Sequence, residues 1–394
     1  MNNKLNILMT IENYPLHGGS GIATRRLAEN LVKKGHNIAV ICPGENKENE
    51  IELHSESGVA VYRLGSLQSP SFIYKGRISP FSINHLKNIF KEFNPDIVHI
   101  IDHFFISSAA ISLARKNKIK IIGTNHFNPG NWLNSGLKIN SHFSKAMMKF
   151  LWFHFLKTFS RIDVVTTPTS TAAKIIQDAG MKKPICVISN GIDLKEYSNK
   201  PDYGILDKFK INKNKIILLS ASRLDKEKRV DLLVKAISII KHKIDFQLIV
   251  TSIGQERKKL EDLVLENNIS DKVIFTGFVN NSDLKKLYKI SDIFLTASEV
   301  ELQGLSIMEA MASGLPIIAT SSMAIPELVK NGINGFLFEP NDAIELSRKI
   351  LLLANDKKLR REMSQKSLDM IKDHDMKKTV SKFEKIYYEN TVKK

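Results

Sequence analysis

Cysteine is scarce: Cys42 and Cys186 are the only two in 394 residues. Both sit in apolar stretches, so they read as packed thiols and not as a disulfide framework or a cysteine zinc site. No apolar run reaches about 18 residues, which excludes a spanning helix. The short apolar run near the N-terminus lacks a cleavage-site pattern and reads as a first strand, not a signal peptide. Low-complexity segments and short-period repeats are absent. So is a Walker A pattern, which leaves an ATPase without support. Acid is missing locally too: from His103 to Ile162 there are nine Lys or Arg and no Asp or Glu. A cytoplasmic protein is expected.

What is present is ordinary in amount and uneven in charge. The length suggests two domains, and 43% hydrophobic with 25% charged residues suits a globular chain. The net charge is +17. A one-signed basic block inside a domain gives a positive face, which attracts phosphate-rich partners: anionic membrane, nucleic acid or a nucleotide sugar.

The first half reads as alternating strands and helices. Leu5 to Ile11 is a strand, followed by a loop running to Gly18, Gly19 and Gly21. A helix carrying Ile22, Leu27, Leu31 and Val32 closes at Gly35, and Asn37 to Pro43 is the next strand. The glycines come too late after the strand for a dinucleotide fingerprint. Val59–Leu64 is a strand and Leu86–Phe93 a helix, and a Pro95 turn leads into a buried strand ending near His99. His99 and His103 do not have the helical setting of a metal pair and read as solvated groups at a strand end. Lys118–Gly123 is another strand, with His126 just beyond its C-terminal end, where open α/β sheets take ligands. Lys138–Arg161 is helical. Phe143, Met147, Phe150, Leu151, Phe155 and Phe159 supply its apolar surface, and Lys138, His142, Lys145, Lys149, Lys157 and Arg161 a basic edge, a combination that suits an interfacial helix. Ile185–Ser189 is the last strand of this half.

The second half concentrates the chemistry. A strand, Lys215–Ala221, runs into Arg223 and Lys228. Two fixed cations there would stabilise a diphosphate leaving group, Arg as a fork and Lys as a point charge. Phe246–Val250, Val273–Gly277 and Asp292–Thr296 are strands. Ala297 to Thr320 follows, with Glu301 and Glu309 bracketing seven residues. Gly304 lets backbone approach a ligand, and a helix starting near Leu305 aims free N–H groups forward, where phosphate is the usual guest. Leu346–Leu353, Leu359–Ile371 and Lys377–Asn390 are helices. Asp373 and Asp375 read as solvated turn residues.

The Glu301/Glu309 stretch resembles the Glu-x7-Glu signature of the retaining GT-B glycosyltransferases, glycosyl transferases group 1, and the resemblance runs the length of the chain. It implies an α/β fold of two facing Rossmann-like domains, 1–195 for the acceptor and 196–376 for the nucleotide sugar. A helix, 377–394, returns to the first domain, and the cleft between the domains is the active site. Asn190-Gly191-Ile192-Asp193 is similar to the family's hinge segment. By the same resemblance Glu301 contacts donor-sugar hydroxyls, Glu309 the ribose, the N–H groups near Gly304 and Leu305 the sugar or diphosphate, and Arg223 and Lys228 the diphosphate. Gly18 and Gly19 match the glycine loop, His126 reaches the sugar, and the base lies near Gly277 to Val279. His126, Glu301, Arg223 and Lys228 are the expected catalytic set, with no metal and no cofactor beyond the nucleotide-sugar substrate. Two departures stand out: Thr251-Ser252-Ile253-Gly254-Gln255 replaces a glycine-rich turn, and Met323-Ala324-Ile325 precedes Pro326-Glu327 where the family has Gly-Gly.

Gln303 in its Glu-x-Gln-Gly-Leu context resembles bacterial diacylglycerol glucosyltransferases. With the basic block and the aromatic helix, this points to hexose transfer from UDP-glucose or UDP-galactose to a membrane lipid such as 1,2-diacylglycerol, by an enzyme peripheral on the inner face of the membrane. The second reading is an enzyme of surface polysaccharide or lipopolysaccharide synthesis. A nucleic-acid-binding protein would share the charge, but no RNP-like or helix-turn-helix signature accompanies it, and no nucleic-acid partner is expected.

Overall fold

The computed structural model describes residues 4–12, 14, 18–45, 50–54, 57–68, 77–79, 83–128 and 142–391, with backbone alone for 50–54, 78 and 142–145. The chain forms two compact units, Met1–Gly191 with Met376–Lys394, and Ile192–Asp375.

In unit 1 the strands are β1 (Asn6–Thr10), β2 (Asn37–Pro43), β3 (Glu50–His54), β4 (Val59–Leu64), the short pair β5 (Leu67–Gln68) and β6 (Arg77–Ile78), then β7 (Ile97–Ile100), β8 (Lys120–Thr124), β9 (Val164–Thr167) and β10 (Ile185–Val187). Eight of them form one sheet in the order β10-β9-β8-β7-β1-β2-β4-β3. Every neighbouring pair is parallel except β3 with β4. Runs such as Ile38–Pro43 are buried throughout, as expected where helices cover both faces of a parallel sheet. Apolar residues on the two faces form separate clusters, one around Leu8, Val98 and Phe155, the other around Ile7, Met9 and Leu31.

The returning helix is Met376–Asn390, within unit 1 as anticipated. Val380, Phe383 and Tyr387 pack with Ile7, Leu27 and Leu31. The Tyr387 hydroxyl lies 2.8 Å from His99 Nδ1, and His99 Nε2 lies 2.7 Å from Thr124 Oγ1. Glu384 pairs with His36 at 3.1 Å, and the Thr379 hydroxyl donates to the Ser189 carbonyl.

Several local expectations are corrected. The first helix starts at Gly18, taking the glycine pair into its first turn, with Gly18 at φ +79. Cys186 is exposed, whereas Cys42 is buried. His99 and His103 are buried and not solvated; His103 lies among the rings of Phe104, Phe127, His154 and Phe155. The basic aromatic helix is described from His142 to Phe159; its expected start at Lys138 lies outside the described residues.

Unit 2 contains β11 (Ile216–Ala221), β12 (Phe246–Thr251), β13 (Val273–Gly277), β14 (Ile293–Thr296), β15 (Ile317–Thr320) and β16 (Gly335–Phe338). Its sheet is parallel, in the order β13-β12-β11-β14-β15-β16. Alternate residues feed opposite cores: Leu219 and Ile317 on one face, Leu218 and Ile318 on the other. This is a doubly wound order that reverses between β11 and β14; in unit 1 it reverses between β1 and β7. Ligands of such sheets sit beyond the strand ends at the reversal.

Candidate active site

In unit 2 the predicted residues gather at that reversal. After β11 the chain turns through a 3-10 segment, Lys226–Lys228. After β14 it runs through Glu299 and Glu301 to the helix Leu305–Ala312. The two loops are tied together. The Glu299 N–H donates to the Glu227 carbonyl, and Arg229, held at φ 49, bonds Glu299 Oε1 at 2.6 Å and Asp231 at 3.1 Å. From the other side, the Ser322 hydroxyl donates to the Glu299 carbonyl, and the Ala324 N–H to that of Glu301. The loop is thereby fixed before any ligand arrives.

Lys228 Nζ lies 2.7 Å from Glu301 Oε1, both side chains mostly covered. Burial alone would raise the Glu301 carboxyl, but the Lys228 ammonium, with Arg223 beyond it, holds it below the usual carboxylate range. Arg223 is 57% exposed and pairs with Asp225 and, at 3.1 Å, with Glu227. Gly304 is the N-cap of the helix and caps nothing with a side chain. Its φ is −65, so the position asks for the absence of a side chain and not for special backbone freedom; a Cβ there would come within 2.8 Å of Ile307. Gly304 thus offers no side chain to cap the first N–H groups of the helix, which begins at Leu305. Glu309, one turn in, is buried, and its Oε2 accepts from the Tyr288 hydroxyl at 3.1 Å. Gln303 is buried as well. The assembly is an ionised acid, two cations and an open helix N-terminus, suited to a sugar diphosphate. Tyr288, Arg229 and Glu299, which set the geometry, were not anticipated. Only the charge pattern Arg229-Val230-Asp231 hinted at them.

Unit 1 holds the remaining predicted residues. Gly18 and Gly19 are exposed in the first turn of their helix. His126 follows β8, and burial pushes its imidazole down to about 4. Unforeseen are Glu12 and Asp102, past the ends of β1 and β7. The Glu12 N–H donates to Asp102 Oδ2 at 2.5 Å. Burial pushes Asp102 up to about 6, against hydrogen bonds from Ser107, Glu12 and Phe104. Glu12 is raised further by burial and by the Asp102 charge. The acidic half of the Glu12-Asn-Tyr-Pro turn was the available signal.

These groups set an acid response. His99 and His103 are both pushed by burial to about 3, and His126 to about 4. Between about pH 6.5 and 4.5 the unfolded chain therefore binds protons that the folded imidazoles refuse, so stability falls as pH falls. Asp102, pushed up to about 6, and Glu12, raised well above the usual carboxylate range, act in the opposite sense. His154 is lowered by burial as well, so the imidazoles outnumber the two carboxyls and the net is a loss of about 1–2 kcal/mol per pH unit. Urea unfolding measured from pH 6.5 to 4.5 is expected to show that fall; a flat or rising trend would contradict the neutral imidazoles.

The family model for Glycosyl transferases group 1 matches residues 205–370, and that for Glycosyltransferase Family 4 matches residues 17–196. N-acetyl-alpha-D-glucosaminyl L-malate synthase of Bacillus anthracis is 27% identical over 95% of each chain. An alpha-monoglucosyldiacylglycerol synthase of Streptococcus pneumoniae is 28% identical over 84% of this chain and 74% of that one. Among solved structures, HepE of Anabaena in complex with UDP-glucose superposes with a TM-score of 0.76 at 17% identity, over 97% of this chain and 99% of that one. With a Glycosyltransferase Family 4 domain matched in unit 1 and a Glycosyl transferases group 1 domain in unit 2, this protein is a glycosyltransferase of GT-B fold.

Proposed function

We propose that the enzyme is a retaining hexosyltransferase that uses a UDP-hexose and delivers the sugar to a membrane-lipid acceptor. The observation that carries the donor half is the Lys228–Glu301 pair in front of an uncapped helix N-terminus at the β11/β14 reversal. In the bound state Lys228 and Arg223 turn to the diphosphate and Glu301 to sugar hydroxyls. Glu309 takes the ribose, and the Leu305 end of the helix meets the diphosphate. The acceptor oxygen bonds to the anomeric carbon as the bond to the phosphate oxygen breaks on the same face, and the acceptor proton passes to that phosphate. The two side-chain cations meet the charge that develops on the leaving group, the task a metal ion performs elsewhere. Gly18, Gly19 and His126 are the contribution assigned to unit 1.

The lipid half rests on the helix His142–Phe159. Leu151, Phe155 and Phe159 are its buried side, while Phe150 and Phe153 are 60% and 64% exposed. Lys149 and Lys157 are exposed too, and the Lys157 ammonium lies 6.0 Å from the centroid of the Phe153 ring. Positions 149, 150, 153 and 157 share one helical face. Apolar rings flanked by lysine suit an anionic lipid surface, in line with the lipid product named for the Streptococcus pneumoniae relative.

The test is transfer of labelled sugar from UDP-glucose, UDP-galactose and GDP-mannose into lipid held in anionic mixed micelles. Label in lipid from a UDP-sugar is the expected result. The double variant Phe150→Ser/Phe153→Ser is expected to lose about tenfold or more in flotation with anionic liposomes and to transfer correspondingly less. Equal flotation would remove the helix from the membrane reading, and label only in soluble glycan would favour the polysaccharide reading.

A further inference from the structure

Among the described residues, His103 at the carboxyl edge of the unit 1 sheet is unpartnered but enclosed by the rings of Phe104, Phe127, His154 and Phe155; two further buried polar side chains at that edge also lack hydrogen-bond partners. They are the carboxyl of Glu12, through both oxygens, and the amide of Asn125, through Nδ2. Glu12 is 6% exposed and Asn125 1%. Glu12 follows β1 and Asn125 follows β8; β7, with Asp102 two residues past its end, lies between them. This is the carboxyl edge at the β1/β7 reversal, where sheets of this kind take ligands. Buried polar atoms nearly always find partners, so open ones on nearby strand ends call for an occupant.

The neighbours fix what kind of occupant. Asp102 has its donors already: the Ser107 hydroxyl at 2.6 Å, the Glu12 N–H at 2.5 Å and the Phe104 N–H at 3.2 Å. It is the member of the acid pair equipped to carry the charge. Glu12 has the Asp102 charge beside it and no donor within hydrogen-bond geometry, the Ile106 N–H being its nearest compensation, so the proton belongs on Glu12. Asn125 Oδ1 already accepts from the Phe127 N–H at 2.8 Å, which leaves its NH2 as a donor. His126 beside it stays neutral. A neutral carboxyl, an amide N–H and a neutral imidazole together offer both donors and acceptors without net charge. That set matches hydroxyl groups, each of which donates once and accepts. A dicarboxylate would meet the acid pair, and a lipid with one free hydroxyl would leave most of the set unfilled. Two strand spacings separate β1 from β8, about 10 Å, a span comparable to a pyranose ring with a hydrogen bond on each side.

We infer that Glu12 and Asn125 bind a sugar ring, so that the head of the acceptor is itself a glycosyl group and not the bare hydroxyl of diacylglycerol. This rests on the glycosyltransferase reading above and narrows its acceptor to a glycosyl-headed one.

The test is calorimetric binding to the full chain. Monoglucosyl- and monogalactosyl-diacylglycerol are compared with diacylglycerol in the same detergent micelles, and methyl glucoside and methyl galactoside are tried free in solution. UDP binding is measured on every variant as the folding control. The wild type is expected to bind a glycosyl lipid at least about tenfold more tightly than diacylglycerol. E12Q keeps a donor and an acceptor and should stay within about threefold of the wild type, whereas E12L should lose about tenfold or more. N125D, which swaps the donor for an acid beside Glu12, should lose as much and serves if E12L no longer holds UDP. A free glycoside that binds as tightly as the micellar lipid upholds the ring and assigns it to a soluble glycan. Equal affinity for the two lipid classes, or E12L and N125D both unchanged while UDP still binds, overturns the inference. A wild type that binds sugar but no UDP would instead count against the donor reading.

Discussion

Lys228→Ala is expected to lower sugar transfer by about 10²–10³-fold, the range seen when one preorganised donor to a developing anion is removed. The ammonium lies 2.7 Å from Glu301 and is 15% exposed, so it acts where water screens little. Arg223 is more exposed and already shared between Asp225 and Glu227, so Arg223→Ala should cost less. The fall should appear in kcat more than in donor affinity, because charge on the leaving phosphate grows toward the transition state. Stability should drop too, by about 1–3 kcal/mol, since Glu301 keeps its charge without a partner. The double variant Lys228→Ala/Glu301→Ala separates the effects: it should regain most of the stability in urea and none of the transfer. Transfer by Lys228→Ala within about threefold of the wild type would leave the diphosphate role with the helix N-terminus alone.

The candidate donor residues of unit 2 were legible as a group because they are local in sequence and match the family resemblance. Glu301, Gly304 and Glu309 lie on one loop and one helix turn, and Arg223 and Lys228 follow one strand, so the resemblance could name them and their spacing kept them close. Long apolar runs such as Ile38–Pro43 likewise announced buried parallel strands. What the sequence hid depends on distant partners. His99 read as a solvated strand end, yet its ring is held by Tyr387, 288 residues away. Tyr288 reaches Glu309 from another helix, and nothing in Asn281–Ile290 advertises that. The helix Phe105–Lys116 went unread because Ala110 and Ala114 are among its core positions and carry little hydrophobic signal. Glu12 is the sharpest instance. An acid after a first strand looks like a loop residue until the fold brings Asp102 beside it and shuts water out. Burial, not composition, sets the shifted titration of His99 and Glu12.

Gly254→Ala is expected to damage both stability and donor binding, although Gly254 belongs to none of the recognised motifs. A Cβ at Gly254 would lie 2.4 Å from the carbonyl carbon and oxygen of Leu224 and 2.6 Å from its Cα. These are backbone atoms in a crossing fixed from both sides: the Leu224 N–H donates to the Ile253 carbonyl, and the Glu256 N–H to the Leu224 carbonyl. Leu224 is fully buried, so it has no room to retreat. Its neighbour is Arg223, and Lys228 lies four residues on, so any shift there moves both diphosphate cations. The expected cost is about 1–3 kcal/mol of stability and about a tenfold loss of UDP affinity, because misplacement by a fraction of an ångström weakens charge-assisted contacts. Ser252→Gly in the same turn is the opposite case. Ser252 sits at φ +83, a conformation glycine adopts without strain, so that change should be neutral or slightly stabilising. The departure from a glycine-rich turn thus keeps glycine where two backbones cross and gives it up where only φ is at stake. Urea unfolding and UDP titration of the two variants decide the matter. If Gly254→Ala matched the wild type in both, the crossing could not be what holds the Arg223–Lys228 loop in place.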